Sequence, residues 1–261
     1  MADTRFADIS EWQSSFDADA YLKGGHKVVI VRAHSGYKPD KMMPARRDYV
    51  RSKPFDSVGY YIYLAKDRDA AQQAREFISV IGQLRGNEFA ALDLEEGAGN
   101  QVPRAEAFFK VTDPWAKMLT TLYSGSSMLN SQLGGTARWG KRPLWIAAYP
   151  GSYTPNPAVE PKGATWWQYS DRERFPGLSG AVDGNIFHGT AAEHCAAARG
   201  GAAAPAPAPA PKPASSALAS VVKPNGAIEV FEETASGEVL HKWQTKENGG
   251  WVKSWQSLGK P

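Results

Sequence analysis

Six apolar runs, spread over the first two thirds of the chain, limit what it can fold into: Lys27–Arg32, Val58–Leu64, Phe89–Asp93, Leu119–Tyr123, Leu144–Tyr149 and Thr165–Tyr169. None alternates strictly between apolar and polar, so each reads as a strand buried on both faces, the habit of parallel sheets covered by helices. Helical spacing fills the gaps between them. Asp67 can N-cap a helix that puts Ala71, Ala74, Phe77, Ile78, Ile81 and Leu84 on its inner face and stops near Gly86. Pro103 suits the first turn of a second helix, which carries Phe108 and Phe109 and is interrupted near Pro114. Strand then helix then strand, repeated, predicts an α/β fold, a (β/α)-barrel of the TIM-like type. Reactive groups in such barrels stand at the C-terminal ends of the strands.

Residues 201–217 alternate Ala with Pro and offer nothing to bury, which reads as a semi-rigid extended spacer. The chain therefore divides into a first module, 1–200, the linker, 201–217, and a small all-β module, 218–261. In that tail Ile228–Phe231, Val239–Thr245 and Trp251–Leu258 are strand-like, separated by turn signals at Ala235-Ser-Gly237 and Asn248-Gly-Gly250. A tail this short buries too little surface to stand alone, so it is expected to self-associate with copies on other chains or to dock on the first module.

With 261 residues and 42% hydrophobic content, the chain can bury a large core. Its net charge of +3 is dispersed, and residues 218–261 hold five Lys against five Glu. No basic stripe marks a nucleic-acid partner. The pI near 8.8 suits weak attraction to an anionic surface such as a bacterial wall. Cys195 is the only cysteine, which excludes an intramolecular disulfide and a cysteine-based metal cluster. The start, Met1-Ala-Asp-Thr-Arg-Phe-Ala-Asp8, has no charged-then-apolar leader, and no window approaches 18 uninterrupted apolar residues, so membrane insertion is not expected. Synthesis in the cytosol follows as an expectation, and a target beyond the membrane then requires another factor for delivery.

The chemistry concentrates where an apolar run ends in acids, Phe89-Ala-Ala-Leu-Asp-Leu-Glu95. A strand's period of two turns Asp93 and Glu95 to one face and Leu92 and Leu94 to the other. Crowded carboxylates repel, which drives one of them to keep its proton near neutral pH, as a general acid for glycoside cleavage must. A pair of this kind also serves as a surface cap or a cation site. Asp8 and Asp183 stand at comparable junctions, and closure of a barrel makes its first and last strands neighbours. Taken singly, each of these aspartates also fits a turn or a helix cap.

Four separated segments, in order, resemble the glycoside hydrolase family 25 muramidases, the Chalaropsis-type lysozymes. Phe6-Ala-Asp-Ile-Ser-Glu-Trp-Gln13 is similar to the family's opening Asp-Val-Ser-x-Trp-Gln, and Phe89–Glu95 to its central Asp-x-Glu strand. Leu144–Tyr149, and Trp167-Gln-Tyr-Ser170 followed by Val182-Asp-Gly-Asn-Ile-Phe187, are similar to its closing strands. The resemblance covers about residues 5–190. It implies Glu95 as general acid and then base at the glycosidic oxygen, with Asp8, Asp93 and Asp183 as electrostatic and positioning groups. It also implies cleavage of the β-1,4 bond between N-acetylmuramic acid and N-acetylglucosamine in peptidoglycan, with no metal or organic cofactor. Spacing leaves open whether a carboxylate or the substrate's own N-acetyl group attacks the anomeric carbon.

Sugar rings present apolar faces, and Tyr61, Tyr123, Trp145 and Trp167 are candidate platforms, each with core filling as the alternative. Tyr61 and Tyr123 align with cleft-lining family positions. Gln168 is a candidate hydrogen-bonding partner for substrate or for a neighbouring loop. One departure stands out: many relatives carry Thr-Glu-Gly after the second strand, where this chain reads His34-Ser35-Gly36, so a cleft carboxylate is missing.

The tail resembles one blade of the tectonin or PLL-type lectin propellers, in Asn225-Gly-x-Ile-Glu-Val-Phe231, Trp243-Gln-Thr245 and Gly250-Trp-x-x-x-Trp255. That implies wall anchoring, with Trp243, Trp251 or Trp255 stacking on sugars, or forming the blade's own small core. Together these readings point to a bacteriolytic enzyme resembling phage endolysins, made in the host cytoplasm and reaching the wall through a holin. A bacterial autolysin, a non-catalytic wall-carbohydrate-binding protein and a chitinase-type glycosidase are the alternatives.

Overall fold

A computed structural model of the protein describes residues 3–150, 160–199, 219–225, 227–233, 239–245, 252, 254 and 256–259. The chain forms two compact units, one ending at Pro207 and the other beginning at Ala208. In the first, eight strands close into a barrel in sequence order: β1 (Thr4–Ile9), β2 (Val28–His34), β3 (Ser57–Tyr63), β4 (Glu88–Asp93), β5 (Thr121–Gly125), β6 (Leu144–Ala147), β7 (Trp166–Glu173) and β8 (Val182–Phe187). Five α-helices lie between the first six strands: α1 (Ala18–Lys23), α2 (Ala45–Arg51), α3 (Ala70–Ile81), α4 (Val102–Ala116) and α5 (Ser126–Gln132), the last followed by a 3-10 turn, Thr136–Trp139. A sixth, α6 (Ala191–Ala198), follows β8, and no helix joins β6, β7 and β8 among the described residues.

Period-two alternation sorts the strand residues into two layers. Ile9, Val29, Val31, Tyr60, Ile62, Leu92, Leu94, Leu122 and Ile146 face outward, in one core with Phe77 and Ile81 of α3 and Phe108 of α4. Phe6, Val28, Ile30, Tyr61, Phe89, Tyr123, Trp145 and Trp166 fill the barrel itself. The N-terminal end is plugged by His194 of α6, whose ring meets those of Phe6, Phe89, Trp166 and Phe187 at centroid distances of 4.8 to 5.6 Å. Packing of this kind makes the interior a solid floor rather than a pore.

The sheet is not parallel throughout, as the apolar runs alone suggest. β1 to β7 pair in parallel, but β8 runs antiparallel to both β7 and β1. Its N-terminal end therefore joins the rim that collects the C-terminal ends of the others. Smaller departures have local causes. Asp69, not Asp67, caps α3 by accepting from the Gln72 N–H at 2.7 Å, and Gly82, with φ of 72°, ends it. Asp67 instead accepts from the Tyr37 hydroxyl. α4 continues past Pro114 to Ala116, because a proline in the last turn removes little of the helix's bonding. β5 starts two residues later than its apolar run, since the Thr120 N–H is taken by Asp113 at 2.7 Å and its carbonyl by Arg142 at 2.6 Å.

The second unit is a sheet of four antiparallel strands, β9 (Ala219–Val222), β10 (Ile228–Glu233), β11 (Val239–Trp243) and β12 (Gln256–Gly259), in the order β12-β11-β10-β9. β9 has no counterpart among the three expected runs. Trp251, Trp255 and both turn signals lie outside the described residues. No helix among the described residues is long and apolar enough to cross a membrane.

Gly59 of β3 faces into the barrel, where a Cβ would lie 2.5 Å from Cζ of Phe89. That ring stacks on Trp166 at 5.5 Å and is buried, so it has nowhere to retreat. Gly59→Ala is expected to destabilise the barrel by about 1–3 kcal/mol in urea denaturation; a variant as stable as the parent would show that the floor is looser than this packing implies.

Candidate active site

At the C-terminal rim of the barrel the strands present four acids. Asp8 is the fifth residue of β1 and pairs across the antiparallel ladder with Asp183, the second residue of β8. Asp93 closes β4. The ladder continues one residue further, through Leu94 N–H donating to the Tyr123 carbonyl at 3.0 Å, which keeps Leu94 in the outer core and turns Glu95 into the mouth. Asp8 and Asp93 are buried, while Glu95 is solvent-exposed. Glu95 lines a cavity of about 440 Å³ together with Tyr123, Ser127, Met128, Gln132 and Tyr149.

Asp8 is held by amides. Gln168 Nε2 donates to its Oδ2 at 2.9 Å and Asn185 Nδ2 at 2.8 Å. Each amide is fixed in turn: Gln168 Oε1 accepts from the hydroxyls of Tyr123 at 2.7 Å and Tyr149 at 2.6 Å, and Asn185 Oδ1 accepts from the indole N–H of Trp145 at 2.7 Å. The aromatic floor thus reaches the carboxylates through two amides.

Withdrawal from water sets the charge state. Burial drives the Asp8 carboxyl up to about 6, against the opposing pull of Asn185 and Gln168. Asp183 rises to about 8, through burial first and then through the negative charges of Asp8 and Asp171 and the hydrogen bond it gives Asp8. One proton is shared across that pair, with Asp183 the holder near neutral pH. Asp93 is pushed well above the ordinary carboxylate range by burial, then by Glu95 and Asp8, with Arg32 opposing, and its Oδ1 has no hydrogen-bond partner within the protein. Glu95 is raised as well, by partial loss of solvent first, with the Tyr123 hydroxyl opposing and Glu96 adding to the rise. A surface-accessible carboxyl whose pKa is raised, beside buried acids, is placed to donate a proton to a leaving oxygen.

The other sequence candidates divide. Tyr61 and Tyr123 lie inside the barrel against Trp145, at 6.0 and 4.4 Å between centroids, and the buried acids act on both phenols. Gln168 reaches Asp8, as above. Trp167 is not brought to the mouth: the pleat that points Gln168 inward points its neighbour outward, where it is buried with Tyr169 and Ile186 and donates its indole N–H to the Ala148 carbonyl at 2.7 Å. Trp145, for which core filling was the alternative, is buried in the floor. Trp243 is half-buried in the second unit, with the Lys223 ammonium 5.5 Å from its ring centre and the His241 ring at 4.9 Å. His34 does not replace the missing cleft carboxylate. It ends β2, buried, with its Nδ1 accepting from the Gly36 N–H at 3.0 Å and its Nε2 3.8 Å from Glu76 of α3.

Sequence reasoning missed Asn185, Tyr149 and Arg32. Asn185 was legible by the period of two, which puts it on the face of Asp183. Arg32 projects from β2 toward Asp93 and is bound by Asp40 at 2.8 Å and Glu11 at 2.9 Å. Among the described residues, no group of three or more His, Cys, Asp or Glu side chains is arranged to hold a metal ion.

Residues 7–178 match the model of the glycosyl hydrolases family 25. The chain belongs to this family. It is therefore a glycoside hydrolase, and its barrel is the family's. Among relatives, the uncharacterized protein YegX of Escherichia coli K12 is 27% identical over 195 residues, covering 71% of this chain and 70% of YegX. The bacterial lysozyme from Streptomyces coelicolor shares the fold with a TM-score of 0.66 and 23% identity, over 77% of this chain and all of that one. The catalytic domain of the endolysin ply40, from bacteriophage P40 of Listeria monocytogenes, does so with a TM-score of 0.62 and 23% identity, over 76% and 98%.

The proton kept by Asp183 has a thermodynamic consequence. The unfolded chain releases it near the ordinary value of 3.8, the folded one near 8. Between these values the folded state binds more protons, so stability falls as pH rises through the window. Asp183→Asn, which retains a donor toward Asp8 without the charge, is expected to melt close to the parent at pH 4 and above it at pH 9, by on the order of 1 kcal/mol or more. Parallel melting curves from pH 4 to 9 would refute the assignment.

Proposed function

We propose that the protein is a muramidase that hydrolyses the β-1,4 bond between N-acetylmuramic acid and N-acetylglucosamine in bacterial peptidoglycan. The observation that carries the reading is an accessible Glu95, its carboxyl raised above the ordinary range, beside three aspartates contributed by β1, β4 and β8 at one rim of a family 25 barrel. The lysozyme and endolysin among its structural neighbours lend it support.

In this reading Glu95 gives its proton to the glycosidic oxygen as the bond to the anomeric carbon breaks. The substrate's N-acetyl oxygen closes onto that carbon from the opposite face, and Asp93 or Asp183 supports the acetamide as positive charge spreads into it. Glu95, now a carboxylate, takes a proton from the water that reopens the ring, and the four acids return to their starting state. Buried acids near neutral charge suit such a site, since fully ionised ones would hold water and repel one another. Tyr61, Tyr123 and Gln168 shape the floor under the sugar.

The enzyme acts at the wall, and as a phage-type endolysin it reaches the wall through a holin. The second unit serves as a wall anchor, which raises the local concentration of enzyme on an insoluble substrate. Deleting residues 201–261 should reduce pull-down on purified walls and slow their clearing, with turnover of soluble glycan unchanged; equal pull-down would remove the anchor.

Glu95→Gln is expected to lower the clearing of wall suspensions by about 10²–10⁴-fold while wall binding persists. Mass spectrometry of the parent enzyme's digest should find muramic acid at the new reducing ends. Glucosamine ends would instead assign a glucosaminidase or chitinase-type activity, and retained clearing by Glu95→Gln would move the acid elsewhere.

A further inference from the structure

Three large aromatic side chains of the barrel unit are prominently exposed among the described residues: Trp12 at 79%, Tyr37 at 58% and Tyr149 at 51%. All three stand on the rim that carries the acids. Trp12 follows β1, Tyr37 follows β2 and Tyr149 follows β6. Tyr149 belongs to the cavity beside Glu95. Trp12 and Tyr37 belong to no part of the site described so far.

Their exposure is built in. The turn Ser10–Gln13 is held by two buried charged residues: Asp40 accepts from the Glu11 N–H at 2.9 Å, and Arg46 donates to the carbonyls of Ser10 and Gln13. Ser10 N–H donates to Gln13 Oε1 at 2.9 Å and closes the turn from inside. Trp12 is thus presented to solvent by a backbone that has little freedom to fold it back. The Tyr37 hydroxyl donates to Asp67 Oδ1 at 2.7 Å, which leaves the phenol fixed by its tip. Its neighbour Gly36 has φ of 84°, and a Cβ there would meet the Tyr63 carbonyl oxygen at 2.6 Å, so the loop has one path. Asp40, from the Tyr37 loop, is the residue that holds the Trp12 turn, so the two loops form one clamped unit.

Ring order then fixes their side. In a closed ring of eight, β2 stands opposite β6, and β1 is next to β2. Eight strands spaced by about 4.8 Å and tilted by about 36° close a ring roughly 15 Å across. Tyr149 and its cavity lie on one side of the mouth and Trp12 and Tyr37 on the other, with Asp8 of β1 on their side and Asp183 of β8 and the Asp93 end of β4 between. That distance exceeds what one disaccharide covers. A rigid, solvent-facing indole and phenol, each with an apolar face and a polar edge, suit a pyranose ring.

We infer that Trp12 and Tyr37 form a distal platform for a long glycan strand, binding sugar rings on the β1–β2 side of the cleft while the rings at the scissile bond occupy the Glu95 side. The inference rests on the muramidase reading for the identity of the sugar, and on geometry for the position of the site. Preference for polymeric over short substrate is its functional consequence.

The test compares the parent with Trp12→Ala, Tyr37→Ala and the conservative Trp12→Phe on soluble, peptide-free peptidoglycan glycan strands and on the N-acetylglucosamine–N-acetylmuramic acid tetrasaccharide. Trp12→Ala is expected to lose about tenfold in kcat/KM on long strands, through KM, with the tetrasaccharide rate and Tm unchanged, and Trp12→Phe to recover most of the loss. Equal rates for parent and Trp12→Ala on long strands, or equal losses on both substrates, would overturn the platform. Binding of the same strands to Glu95→Gln, with and without Trp12→Ala, is read by calorimetry independently of turnover. A tenfold weaker Kd upholds the platform even if product analysis rejects the muramidase reading, and an unchanged Kd rejects the platform even if that reading stands.

Discussion

A carboxylate taken out of water must either hold a proton or be compensated, and Asp8 and Asp183 meet this demand together, side by side on one rung of the β1–β8 ladder. The rung exists because β8 runs against its neighbours. Were the eighth strand parallel, its second residue would lie at the opposite end of the barrel, near the His194 plug, and Asp183 would have no acid to face. Strand direction at the closure is therefore the condition on which the rest of the mouth depends. With it in place, β4 adds Asp93 and the turn after it adds Glu95, and repulsion among the acids does the rest.

The compensating groups are chosen for what they leave undecided. Gln168 and Asn185 orient Asp8 with neutral donors, which stabilise its charge without fixing it as a lysine or arginine would. The cation that does face Asp93, Arg32, is already bound by Glu11 and Asp40, so its influence on the acid is partial. Neutral amides in turn need fixed partners: Trp145 of the floor holds Asn185, and Tyr123 of the floor and Tyr149 of the rim hold Gln168. The large aromatic side chains inside the barrel thus serve packing and protonation at once. A smaller ring at position 145 would leave a cavity beneath the mouth and an amide free to turn.

Much of this was legible in the residues. Unbroken apolar runs gave the barrel, and the alternation in Phe89–Glu95 separated the acids from Leu92 and Leu94, as the two cores display. What the runs could not carry was direction. β8 is short, mixes Asp, Gly and Asn with Ile and Phe, and pairs with a strand nearly the whole module away, so only closure decides its sense. Trp167 shows a different limit. It is aromatic, next to a site residue and at a strand's end, yet one step of the pleat sends it to the outer face. Trp12 shows the reverse, a residue inside a recognised segment whose exposure depends on charged partners, Asp40 and Arg46, some thirty positions away.

Long-range pairing also organises the rim around His34-Ser35-Gly36. Without an acid at position 35, the carboxylates that bind Arg32 come from the Trp12 turn and from the loop after β2, and these tie two rim loops to each other through one guanidinium. Ser35 turns to its own loop, bonding Lys38, and His34 turns to α3. Asp8, Asp93 and Asp183 on strands β1, β4 and β8, and Glu95 in the turn after β4, stand beside this clamped edge of the mouth. The ion pairs of Arg32 with Glu11 and Asp40 fix the loops beside them.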